Sequence, residues 1–101
     1  MIIYVDIDNT ILYTKGTDYA GAEPILERIE AINNLYENGH TIIYWTARGT
    51  ESGVDWKDIT EEQFKKFGIK YSSLIFNKPI YDLFIDDKNI NSEEFFKWKK
   101  Q

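Results

Sequence analysis

The chain has 101 residues, room for one domain and little more. Hydrophobic residues make up 43% and the formal net charge is −5, which speaks for a real core and against electrostatic capture of nucleic acid. There is no cysteine, so disulfides and thiolate metal sites are excluded, and no apolar run reaches the length that spans a bilayer.

In chain order, Ile2-Ile3-Tyr4-Val5 with Asp6 predicts a first strand over 2–6. It has no polar face, which predicts a central, buried position. Asp6 and Asp8 interrupt this apolar stretch, unlike a signal peptide, so a cytoplasmic, non-membrane protein is expected. Residues 9–22 hold Gly16, Gly21 and small polar residues and read as a loop. A helix is expected from near Pro24, with Ile25, Ile29, Ile32 and Tyr36 on one stripe and Asn38-Gly39 ending it. Residues 41–46 predict a second strand, and 48–58 a polar loop. Thr60 and Gln63 have the spacing of a capping box for a short helix ending at Gly68. Residues 72–76 and 82–86 predict a third and a fourth strand, and Asn91 or Ser92 caps a last helix carrying Phe95, Phe96 and Trp98. Strands alternating with helices predict an α/β protein with a parallel sheet, whose ligand crevice lies beyond the carboxyl ends of the strands. The connections leave no room for an inserted domain, so residues 1–101 are expected to form a single one.

Each predicted strand ends on a polar residue suited to phosphoryl transfer. Asp6 and Asp8, two apart on an extended chain, face the same way while Ile7 packs behind. Asp6 can attack phosphorus, and Asp8 can carry the proton to the leaving oxygen and from the attacking water. The plain alternative is a pair of turn-forming aspartates. Thr46 and the Ala47 backbone N–H can donate to a phosphoryl oxygen, and Arg48 is assigned a modest substrate role. Lys78, held extended by Pro79, can neutralise both nucleophile and transferred group. Asp86-Asp87 at the end of Leu83-Phe84-Ile85 offer hard oxygen ligands, which suit Mg2+. Each signal has a bland reading, such as a solvated lysine or a capping aspartate; their order and their joint strand-end placement give the set its weight.

These residues resemble the four motifs of the haloacid dehalogenase superfamily. Asp6-Ile7-Asp8-Asn9-Thr10 is similar to its DxDx[TV] motif, Thr46 to its second-motif hydroxyl, Lys78 to its third-motif lysine and Asp86-Asp87 to its acidic pair. The resemblance spans residues 2–87. It implies a three-layer, Rossmann-like α/β fold with a central parallel sheet, here minimal and capless. It also implies Mg2+-dependent hydrolysis of a phosphomonoester through an aspartyl phosphate on Asp6, with Asp8 as acid and base. Thr46, Ala47 and Lys78 would hold the phosphate. Asp6, Asp8 through its backbone carbonyl, and Asp86 would hold the metal, with Asp87 either binding it or steadying the residues that do. The short turns after Thr46 and around Lys78-Pro79 are similar to those of small phosphatases near capsule and surface-sugar pathways, which favours a sugar phosphate as the small phosphorylated metabolite.

Two other classes stay open at this stage. A receiver-like phospho-signalling module uses the same residue types in a different order, and a metal-dependent nuclease would use the four aspartates around two ions. The acidic charge disfavours nucleic acid, and neither a membrane partner nor a base-stacking surface is expected. An exposed sheet edge or open site is expected to be covered, if at all, by a second copy of the chain.

Overall fold

In the computed structural model, which describes residues 1–99, three parallel strands, β1 (Ile2–Val5), β4 (Thr41–Trp45) and β5 (Ser73–Ile75), make the main sheet in the order β1–β4–β5. Strand β1 spans Ile2–Val5 and leads into a tight turn, in which the amides of Thr10, Ile11 and Leu12 all donate to the Ile7 carbonyl. Ile7, Ile11 and Leu12 are fully buried there. The stretch expected to be a plain loop holds a two-residue strand, β2 (Leu12–Tyr13), paired antiparallel with β3 (Glu23–Pro24). Pro24 therefore belongs to a strand, and α1 starts later, spanning Leu26–Glu37. Proline has no N–H to give, so it suits the outer edge of a two-stranded ribbon as well as a first helical turn.

The end of α1 follows its sequence signal. Gly39 takes a φ of 92°, His40 N–H donates to Leu35 O and Gly39 N–H to Tyr36 O, the paired bonds of a Schellman cap. Strand β4 (Thr41–Trp45) follows, then α2 (Lys57–Lys66), closed by the same pattern around Gly68. Helix α2 begins before Thr60, whose own N–H bonds to Trp56 O, so Thr60 and Gln63 form no capping box. Strand β5 (Ser73–Ile75) completes the sheet, and α3 (Ser92–Lys99) is capped by Asn91, whose Oδ1 accepts from Glu93 N–H at 2.9 Å.

The registers Ile3↔Ile42, Val5↔Tyr44 and Tyr44↔Leu74 define one face of the sheet. On it, Ile29 and Ile32 of α1, Phe64 of α2 and Phe96 of α3 join Val5, Ile42 and Tyr44 in a single cluster. Tyr44 and Phe64 meet edge-to-face at 5.0 Å. Two right-handed crossovers that step the same way across a sheet place their helices on the same side. The opposite face, with Ile2, Tyr4, Ile43, Trp45 and Ile75, carries no helix among the described residues and is exposed or half-buried.

The parallel α/β architecture is as expected, but two features of it are not. Among the described residues no second helical layer forms, and residues 82–86 make no strand. With that strand missing, β1 sits at the edge of the sheet rather than its centre, and Ile2 and Tyr4 are 70% and 58% exposed. Among the described residues, no helix is long and apolar enough to cross a membrane.

The Tyr44 hydroxyl is buried without a hydrogen-bond partner. An unpaired buried hydroxyl costs stability, and its removal with the ring kept in place relieves that cost. Burial also pushes the Tyr44 phenol well above its ordinary value of 10.0. The neutral phenol is thus favoured by folding, and stability intact below that value falls as pH climbs past it. Tyr44→Phe is expected to raise the unfolding free energy by about 1 kcal/mol at neutral pH and to blunt the loss of stability at high pH, both read from denaturant midpoints.

Candidate active site

The carboxyl ends of β1 and β4 lie side by side, since Val5 pairs with Tyr44 in parallel register. Asp6 leaves β1 at this end, with a side chain 37% exposed. Thr10 Oγ1 donates to Asp6 Oδ2 at 3.0 Å, and Lys78 Nζ stands 3.4 Å from Asp6 Oδ1. Lys78 is positioned by its backbone, whose N–H donates to the Thr46 carbonyl at 3.0 Å, and by Thr50, whose hydroxyl donates to the Lys78 carbonyl at 2.8 Å. Its ammonium also lies over the rings of Trp45 and Tyr81, at 5.8 and 5.6 Å. Asp6, Asp8, Thr46 and Lys78 thus share one end of the sheet, though Asp6 and Lys78 are far apart in the chain.

Two backbone conformations build this end. Asn9, directly after Asp8, has φ 61°, and Asn77, directly before Lys78, has φ 67°. Both are in the left-handed region, where asparagine is among the few non-glycine residues tolerated. Each turns the chain sharply beside a candidate site residue, Asp8 or Lys78. Asn9 is pinned further by Thr14 N–H on its Oδ1 at 3.1 Å.

The Arg48 side chain turns inward, onto Asp8 and α2. Its side chain is fully buried and forks onto Asp8, Nε to Oδ2 at 3.0 Å and Nη2 to Oδ1 at 2.8 Å. Nη1 donates to Thr60 Oγ1 at 2.9 Å and to Gln63 Oε1 at 2.7 Å. The Tyr19 ring lies 5.0 Å from the guanidinium carbon, and Trp56 packs edge-on against Tyr19. Burial, then the Asp8 carboxylate, pushes the Tyr19 phenol above its usual range. Thr14 Oγ1 completes the Asp8 shell, donating to Oδ1 at 2.6 Å. The residues that sequence reasoning missed are therefore Thr14, Thr60 and Gln63. One signal was available: Thr60 and Gln63 share the helical face of Phe64, which must be buried, and polar groups on such a face require a polar partner.

Thr46 is buried, and its Oγ1 accepts from Arg48 N–H at 3.1 Å, so the same turn that carries the hydroxyl aims Arg48 inward. Ala47 sits between them, with its carbonyl closed by Thr50 N–H. Gly49, with φ 80°, lies where an added Cβ would run into the Val54 carbonyl, so the following loop folds tightly on itself. A cavity of about 280 Å³ opens beside this loop, bounded by Arg48, Trp56, Lys57, Phe76 and Asn77.

Asp86 and Asp87 do not join this end of the sheet. Asp86 Oδ2 accepts from Lys88 N–H at 3.2 Å, and Asp87 pairs with the Lys88 ammonium at 3.0 Å on an open surface. Among the described residues no group of three or more His, Cys, Asp or Glu side chains is close enough to hold a metal ion. The Mg2+ site implied by the resemblance would draw on Asp6, the Asp8 backbone carbonyl and Asp86, and Asp86 is not grouped with Asp6 and Asp8 here. The segment 82–86 stays unpaired because Lys78 is anchored at the carboxyl end of the sheet. Residues 79–81 are too few to return the chain to the start of β1, since parallel strands need a crossover of about a dozen residues.

Replacing Arg48 removes the charge partner of the Asp8 carboxylate and the donor on Thr60 Oγ1 and Gln63 Oε1. Arg48→Met is expected to cost about 3 kcal/mol of unfolding free energy, and Arg48→Lys to recover little of it, because an ammonium cannot reproduce the fork. Urea titrations of the two variants check this.

No protein-family model and no curated protein matches this chain. Among solved structures it is similar to an MCSG target from Vibrio cholerae, with a TM-score of 0.85 and 24% identity over 94% of this chain and 86% of that one. At that identity the likeness shows the α/β fold alone.

Proposed function

We propose that the chain is a phosphatase acting on a small phosphomonoester, with Asp6 as the nucleophile. The observation that carries this is the Asp6–Lys78 pair at 3.4 Å beside Thr46 at the carboxyl end of a parallel sheet. A carboxylate and an ammonium held there by unrelated segments suit a transferred anion better than they suit packing.

In this reading an Asp6 oxygen attacks phosphorus as the bond to the leaving oxygen breaks, giving an acyl phosphate. The Lys78 ammonium, the Thr46 hydroxyl and the Ala47 N–H take the phosphoryl oxygens. Asp8 passes a proton to the leaving oxygen, then takes one from the water that attacks phosphorus, releasing phosphate and restoring Asp6. Both Asp8 oxygens are engaged by Arg48, so proton transfer requires one of those bonds to open when substrate arrives. Thr10 steadies the Asp6 oxygen that does not attack. Asp6 and the Asp8 backbone carbonyl would hold Mg2+ when it is bound, and the ion would screen charge on the phosphoryl group.

The cavity beside Asn77 suits the leaving group. Its mix of aromatic surface from Trp56 and Phe76 with polar groups from Asp55 and Lys57 favours a hydroxylated compound such as a sugar. The open face of the site imposes no cap.

The purified protein is expected to hydrolyse p-nitrophenyl phosphate, assayed with magnesium and again with EDTA. Asp6→Asn is expected to lower turnover by at least about 1000-fold while leaving the unfolding midpoint nearly unchanged. Full activity in Asp6→Asn would overturn the assignment of the nucleophile.

A further inference from the structure

Large apolar side chains on the surface are concentrated in two places. One is the start of the chain and β1, with Ile2 and Tyr4 70% and 58% exposed. The other is the segment after Lys78, where Leu83, Phe84 and Ile85 are 75%, 46% and 87% exposed. The first is a sheet edge with no neighbour on its outer side, and the second is a run of strand-forming residues with no strand to join. An unpaired edge and an unpaired apolar strand sequence are complementary, and each is a liability if left in water.

The chain cannot easily satisfy both by itself. Lys78 is tied to Thr46 and Asp6 at the carboxyl end of the sheet. A parallel pairing with its own β1 would need residues 79–81 to descend the whole strand and turn. A second copy removes that obstacle. With two β1 edges facing each other across a two-fold axis, the partner's strand runs the opposite way. Its start then lies level with the end of this chain's sheet, so residues 82–86 run straight on and parallel to it.

The far end of the segment stays home. Arg28 pairs with Glu93 at 2.9 Å and lies 4.7 Å from the Phe96 ring, holding α3 on α1. What crosses is therefore the loop 79–91, which at about 3.3 Å per residue reaches roughly 20 Å out and back. In parallel register, setting Asp86 beside Asp6 sets Phe84 beside Tyr4, two residues back on each strand.

We propose that the chain acts as an exchanged dimer, in which residues 82–86 of each copy extend along the free edge of β1 of the other and bring Asp86 and Asp87 to its Asp6–Asp8 end. The exchange rests on the exposed edge and segment. The completion of a carboxylate set suited to a divalent cation rests also on the phosphatase reading. The pairing is self-complementary, as a two-fold dimer requires.

The protein has no cysteine, which makes a cross-link test clean. Tyr4→Cys and Phe84→Cys, both at exposed positions, are made in two differently tagged full-length chains, mixed, refolded together and oxidised. A disulfide joining the two tags is expected, with light scattering giving the mass of two chains and Ile85→Lys shifting it to one. A monomer, a dimer without that disulfide, or a closed single-chain disulfide in the double variant overturns the exchange. These readouts do not depend on catalysis. For the shared site, Asp6→Asn and Asp86→Asn chains, each inactive alone, are refolded together. Exchange restores one intact site in each mixed dimer, roughly a quarter of wild-type turnover at equal mixing. No recovery, where the wild type is active and cross-links, overturns the shared site and leaves the exchange standing. If the wild type has no turnover, the phosphatase reading fails while the cross-link still decides the exchange.

Discussion

The buried guanidinium of Arg48 ties together parts of the chain that otherwise only touch. It reaches Asp8 from the end of β4, Thr60 and Gln63 on α2, and the ring of Tyr19 from the first loop. A planar fork with several donors can satisfy all of these at once, and an ammonium cannot. Burying a charge fully is tolerated only when it is paired and every donor has a use, and here the Asp8 carboxylate and two neutral oxygens supply the partners. The consequence for chemistry is direct. Asp8 is not a free carboxylate at a strand end but a held one, with its plane set by Arg48 and Thr14 before any ligand arrives.

Around that anchor the backbone turns sharply at a few positions. The left-handed asparagines at positions 9 and 77 bracket the two segments that deliver Asp8 and Lys78. Gly49 lets the loop after Arg48 close on Val54, shaping the wall of the adjoining cavity. Strain of this kind persists only where surrounding contacts overdetermine it, and here those contacts include Thr14 N–H on Asn9 Oδ1 and the bonds that tie Lys78 to Thr46 and Thr50. The well-packed half of the molecule is the helix-covered face of the sheet and the carboxyl end above it.

The other half is unfinished within a single chain. Three helices share one face, the opposite face keeps Tyr4, Ile43 and Trp45 partly in solvent, and the last strand sequence joins no sheet. A sheet edge that would be a hazard in an isolated monomer becomes a docking register when the same sequence supplies the missing strand. Under the proposed exchange, catalytic completeness and association become one event: the nucleophile stays with one copy, and the acidic pair arrives from the other.

Much of this was readable residue by residue. The alternation of apolar runs with helical stripes determines the parallel α/β architecture, and Gly39 and Gly68 determine where two helices stop, because both signals are local. The grouping of Asp6, Asp8, Thr46 and Lys78 also follows from sequence, since strand ends in a parallel sheet all point to one side. Where local signals competed, the tertiary structure decided. Pro24 went to a ribbon rather than a helix start, and Thr60 with Gln63 went to a buried arginine rather than a cap. Arg48 turned inward because the polar face of α2 and Asp8 lay beneath it, a fact held in no window of neighbouring residues. The place of the fourth strand was likewise beyond local reading. Leu83-Phe84-Ile85 has every property of a strand, but a strand exists only where an edge can be reached, and the connection from Lys78 is too short to reach its own.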